Sequence, residues 1–177
     1  DLVINLPKLK THQMMGLTCG VKNLFGVVVG MRKPRLHLQA GADKAFFALM
    51  LLELAERVAP ALTIADAVIG MEGDGPGSGD PVPIGALLAS RSPLALDTVA
   101  CELVGLRTDE VWTQRVAAAG GRPGCRLEQI ELCGTPLREL RYLNFRPAKS
   151  TEVHFGLPRW LRTPLKRSLS ARPQVDA

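Results

Sequence analysis

The run Leu2 to Leu6, apolar, rich in β-branched side chains and closed by Pro7, constrains this chain more than any other segment. An apolar run of strand length suits a strand buried on both faces, and such strands belong to sheets covered by helices. The polar cluster Lys8 to His12 is then expected just past the strand's C-terminal end, where α/β proteins hold their ligands.

The pattern that follows fits this start. Gly16 to Gly30 is glycine-rich and mixed, with KNLFG at its centre, and allows a short helical turn. Asp43 to Val58 places Phe46, Phe47, Leu49, Met50, Leu52, Leu54 and Ala55 against Glu53, Glu56 and Arg57, which predicts an amphipathic helix with Asp43 as N-cap and Pro60 as its stop. Leu62 to Val68 reads as a second strand. The segment Gly70 to Pro81 holds five glycines and two prolines in twelve residues and reads as a loop. Val82 to Ala89 returns to strand pattern. Ser92-Pro93 then reads as an N-cap and first-turn proline, opening an apolar helix over Leu94 to Val104 that Gly105 ends. A further helix is expected from Thr108 or Asp109 through Ala119, and a last strand over Leu127 to Cys133. Strands alternating with helices predict an α/β fold with a mostly parallel or mixed sheet, helices on both faces, and an irregular basic C-terminal arm. The expected division is an α/β domain over 1–134 and a proline-rich basic tail or linker over 135–177, with a short basic helix between Leu157 and Leu169.

Charge is unevenly placed. The whole chain carries +5, but Arg138 to Ala177 holds nine Lys/Arg against three Asp/Glu, leaving residues 1 to 137 at −1. That basic tail is poor in aromatics, rich in prolines and without a nucleic-acid motif, which disfavours nucleic acid as the partner. The longest apolar run, Ala45 to Leu52, is far short of the ~20 residues a spanning helix needs, so no membrane span is expected. The first residues show no basic-then-apolar signal pattern, and the expected location is the cytoplasm. Cys19, Cys101, Cys125 and Cys133 are widely separated with no CxxC, and read as reduced, mostly buried thiols.

Three groups carry the chemistry. Lys8, Lys10, Thr11 and His12, joined by Lys22 and Asn23, supply donors suited to a small anion such as phosphate or carboxylate. His37, after Arg32, Lys33 and Arg35, is a further member of that basic set or a solvated histidine. Asp66, Glu72, Asp74 and Asp80 surround the glycine-rich loop, whose Gly73, Gly75 and Gly79 would let backbone amides approach a ligand. Asp66 and Glu72 are the candidate divalent-metal ligands or proton carriers, against a reading in which the acids only cap turns. Asp97, polar on an apolar helix face near an N-terminus, reads as structural or site-supporting. No nucleophile pairs with a base by spacing, so a serine or cysteine triad has no support.

Together, DLVINLPKLKTH, VKNLFG, TIADAVIGMEGDGPGSGDP and ASRSPLALDTVACELVG resemble, in order and spacing, successive signature segments of the domain of unknown function 362 family over about residues 1–134. The resemblance implies the C-terminal part of that domain. It also implies a ferredoxin-like module with two 4Fe-4S clusters in the full-length protein, and RPQVDA resembles the phrase that leads into the first cluster motif. It singles out Lys8, Lys10, His12, Lys22, Asn23, Asp66, Glu72, Gly73, Gly75, Gly79 and Asp97 without implying a reaction. The function expected is a redox-linked domain that holds a small anionic ligand or metal–substrate complex between a basic and an acidic loop, partnered by a ferredoxin-like module or another redox partner. Alternatives are a non-catalytic cofactor-binding or cluster-assembly module, and a metal-dependent isomerase or hydrolase.

Overall fold

A computed structural model describes residues 2–149. Its elements are β1 (Ile4–Asn5), β2 (Lys8–His12), β3 (Gly16–Thr18), α1 (Gly20–Asn23), α2 (Arg32–Ala40), α3 (Lys44–Val58), β4 (Leu62–Glu72), β5 (Asp80–Ser90), α4 (Pro93–Leu103), α5 (Trp112–Ala119) and α6 (Leu137–Leu140), with short 3-10 turns at Leu24–Val27, Thr108–Glu110 and Leu127–Gln129. The basic helix expected between Leu157 and Leu169 lies outside the described residues.

The α/β class and the mixed sheet are as expected. β1 and β2 both run parallel to β4, while β3 is antiparallel to β2 and β5 antiparallel to β4. β4 is therefore the central strand. β5 is an edge, which is what allows Pro81 and Pro83 inside it, because a proline cannot donate to a second neighbour.

Local chemistry explains the helices. Asp43 accepts the Phe46 N–H as the cap of α3, and Ser92 accepts the Ala95 N–H as the cap of α4, whose first residue is Pro93. One core lies between the sheet and α4, joining Leu9, Leu17, Ala65, Ala67, Val82, Ile84 and Ala86 to Leu96, Ala100, Cys101 and Leu103. A second lies beyond the sheet, where Met14, Met15, Val21, Leu24 and Phe25 meet α3 and Ala117.

Several expectations need correcting. The Leu2–Leu6 run is not buried on both faces: Asn5 is its buried member, whereas Leu2 is 71% exposed and Leu6 68%. Asn5 faces the covered side with Thr63, and Ile4, in register with Leu62, faces the other. The partly buried residues of α6 and its flank pack on the same cluster as α4. Lys8 to His12 is not a loop past a strand but the strand β2, and Pro7 only interrupts the pairing. Both ends of the predicted loop 70–81 extend the strands, leaving 73–79 as the turn. The strand expected over Leu127 to Cys133 is absent; a 3-10 turn and irregular chain stand there, with Ile130 to Cys133 mostly exposed, so nothing rewards pairing. Among the described residues, no helix is long and apolar enough to cross a membrane.

Candidate functional site

The structure divides the predicted basic set. Lys8 joins Asp66 at 2.6 Å and also donates to the Ile69 carbonyl at 2.8 Å. These bonds straddle an irregularity in which Lys8 pairs with Asp66 but Lys10 with Met71, so the lysine staples a bulge in the central strand. The Lys8 ammonium, with the Val68 N–H, holds the Asp66 carboxyl below its ordinary range. Lys10 sits partly buried at the same bulge.

His12 and Lys22 belong to a different place. The Nδ1 of His12 accepts the backbone N–H groups of Met14 at 3.1 Å and Met15 at 3.3 Å, which puts its proton on Nε2. Lys22, on α1, projects over the Phe25 ring at 5.1 Å and the Phe47 ring at 5.8 Å. Lys33, from α2, approaches Phe25 at 5.8 Å. His37 stacks on Phe47 at 4.5 Å and meets Phe25 edge-on at 5.3 Å. His37, expected in a loop, is on the helix α2.

Two ammonium groups and the His37 imidazole thus gather around two phenylalanines, within electrostatic reach of His12. Neither Lys22 nor Lys33 has a hydrogen bond or ion pair among the described residues. Burial and then the Lys33 charge lower the Lys22 amine to about 8, and burial, Lys22 and His37 lower His12 to about 4. Burial and the two lysines also lower His37. Cations held together without an acid favour a bound anion.

Lys22 owes its position to residues that lie behind it. The buried Asp97 carboxylate accepts the Gly20 N–H at 2.5 Å and the Val21 N–H at 3.0 Å, satisfying donors at the start of α1 from another helix. Burial raises Asp97 to about 7 despite those bonds. Gly20 has room for no side chain, since a Cβ would lie 2.9 Å from Asp97 Oδ1 and 2.8 Å from the Pro93 carbonyl. Asn23, predicted as an anion donor, instead gives its amide to Asn5 Oδ1 at 2.8 Å, and Asn5 donates to the Gly20 carbonyl at 2.9 Å. Asn5 and Lys33 are the members of this assembly not singled out from sequence; a lone polar residue inside an apolar strand was the available signal for Asn5.

The acidic loop is occupied by the protein itself. Glu72, 9% exposed, accepts the backbone N–H of Arg146 at 3.0 Å and its Nε at 2.7 Å, while Asp80 takes the same guanidinium at 2.6 Å. Gly73 donates to the Arg146 carbonyl at 2.9 Å. Thr11 bridges the loop, donating to the Gly73 carbonyl at 2.9 Å and accepting the Gly75 N–H at 3.2 Å. A Cβ on Gly75 would overlap Thr11, and one on Gly79 would overlap the Glu72 carbonyl. The basic strand and the acidic loop are in direct contact, and Asp74 is exposed. Among the described residues, no three His, Cys, Asp or Glu side chains converge as metal ligands. Cys19, Cys101 and Cys125 are buried and Cys133 is exposed; all four are free thiols.

A cleft of about 310 Å³ lies elsewhere, between α3 and the start of α4. Arg122 on its wall is engaged by Glu53 and Glu56.

A family model described as Domain of unknown function (DUF362) matches residues 1–102. The thylakoid-associated protein sll1697 of Synechocystis sp. is 43% identical over 170 residues, covering 94% of this chain and 52% of that protein. The chain thus spans about half the length of that relative. No solved structure matches it.

Proposed function

The chain belongs to the family described as Domain of unknown function (DUF362), and on that premise we propose that it is an anion-binding α/β domain whose ligand sits among His12, Lys22, Lys33 and His37. One observation carries this reading: the Lys22 and Lys33 ammonium groups share the Phe25 ring with no acidic partner among the described residues. Cation–π contact offsets only ~0.5–2 kcal/mol of the cost of holding such charges together, and a phosphate or carboxylate would supply the rest. Arg32 and Arg35, exposed on α2, extend the positive rim. Glu72 and Asp80 of the glycine-rich loop, paired with Arg146, are not counted among the ligands in this reading.

The site serves redox-linked chemistry in this proposal, with ferredoxin-type 4Fe-4S clusters in sequence outside the chain. The support is the family resemblance and the greater length of the Synechocystis relative. The scattered, largely buried thiols described here do not offer a cluster its ligands. The proposed compartment is the cytoplasm, and the thylakoid association in the Synechocystis relative's name makes cell fractionation the check.

Calorimetric titration with inorganic phosphate and with a small dicarboxylate tests the ligand reading. Saturable binding that Lys22→Gln abolishes supports it, and heat that is unchanged in Lys22→Gln contradicts it. Iron and acid-labile sulfide in the whole protein, purified anaerobically, test the redox link; their absence would remove it and leave the anion site standing.

A further inference from the structure

Resting on the reading of this pocket as an anion site, we propose that Lys22 is a reactive amine that condenses with the carbonyl of a small 2-oxo acid, whose carboxylate is held by the Lys33 ammonium on the other side of the pocket. An anion site needs cations; it does not need one of them half-buried with no acidic partner among the described residues. Lys8 shows how this protein treats a lysine kept charged, giving it the Asp66 carboxylate and a carbonyl oxygen. Lys22 receives two aromatic rings and a second ammonium instead. Desolvation beside another cation is the arrangement that makes a lysine nucleophilic, because it lowers the cost of losing the proton. With the amine near 8, the free base at pH 7 is on the order of a hundredfold more abundant than for an ordinary lysine.

The second group in the pocket fits the other half of such a ligand. Lys33, reaching the same Phe25 ring from α2, is suited to pair with a carboxylate. Neutral His12, its Nδ1 committed to Met14 and Met15, offers an Nε2–H donor to the oxygen of a carbonyl adduct. The step balances without a further reagent. The amine nitrogen bonds to the carbonyl carbon as the C=O π bond breaks, and the carbinolamine then loses its oxygen as water with the two amine protons, leaving an imine.

The test is reductive trapping. The protein is incubated with pyruvate and cyanoborohydride at pH 7, and each lysine is quantified by peptide mass mapping. Lys22 should acquire the reduced adduct at least ~10-fold faster than exposed Lys149. Inorganic phosphate should slow the labelling, and Lys33→Met should slow it at pH 7 by returning the Lys22 amine toward its ordinary range. Labelling of Lys22 no faster than Lys149 overturns the proposal. Because that ratio is read within the unaltered protein, it stands even if Lys22→Arg, which should abolish the adduct, fails to fold. Phosphate binding with an unreactive Lys22 leaves the anion site and removes this inference. A reactive Lys22 that phosphate neither occupies nor protects removes both.

Discussion

The acidic glycine-rich loop and the Lys22 pocket are both dense in charge, but they are built on opposite accounts. In the loop, Glu72 and Asp80 are closed by Arg146 from the far end of the described chain, and Thr11 takes up a backbone donor and acceptor of the turn. In the pocket, Lys22 and Lys33 share one aromatic ring, with no acidic partner among the described residues. A charged group paired within the fold contributes to stability; one left without a partner costs stability and is retained for what it binds. The difference separates a structural cluster from a functional one better than charge density does.

Substitutions that disturb the loop should therefore unfold the protein, and those in the pocket should not. The largest effect is expected at Gly75→Ala, where the new Cβ meets Thr11 backbone that cannot swing away, costing about 3 kcal/mol in urea unfolding. A Gly75→Ala protein of normal stability would show that the loop yields and would weaken the contrast. Arg146→Ala should lower the unfolding midpoint by less, since the nearly buried Glu72 loses its partner while Asp80 stays solvated.

Lys22→Met should leave stability at pH 7 unchanged or higher while removing phosphate binding. Its pH signature has a definite sign. The unfolded chain keeps this proton to about 10.5 but the folded one only to about 8, so the unfolded state binds more protons between them and wild-type stability rises with pH across that window. Lys22→Met should lack that rise in parallel urea titrations. The smallest effect is expected for Lys8→Ala. The Lys8 and Asp66 side chains are 43% and 46% exposed, so its loss should cost under about 1 kcal/mol and shrink further in salt. A loss of phosphate binding as large as that of Lys22→Met would instead return Lys8 to the ligand site.

Much of the fold was legible because caps and periodicity are local. Asp43 and Ser92 fixed the starts of α3 and α4, and the glycine-proline cluster marked the turn between β4 and β5. The apolar run Leu2–Leu6 misled because continuous hydrophobicity does not say which alternate face is covered; here Asn5 faces the core and Leu2 and Leu6 are exposed. The site was half legible. Residue type and position picked out His12, Lys22 and Asp97, all of which the structure brings to the same helix start or the pocket beside it. Lys8 and Glu72 carry the same chemistry, yet their partners Asp66 and Arg146 lie 58 and 74 residues away, and pairing at such separation leaves no local trace. Asn23 was misassigned for the same reason, its amide being taken by Asn5.

The central claim is that the Lys22 ammonium waits for an anion, and nitrogen-detected NMR titration of that amine with and without inorganic phosphate tests it most directly. The account predicts a midpoint near 8 in the free protein that moves up toward the ordinary lysine range when phosphate is present, because a bound anion favours the charged form. A midpoint that phosphate leaves in place, or one already ordinary in the free protein, would contradict it.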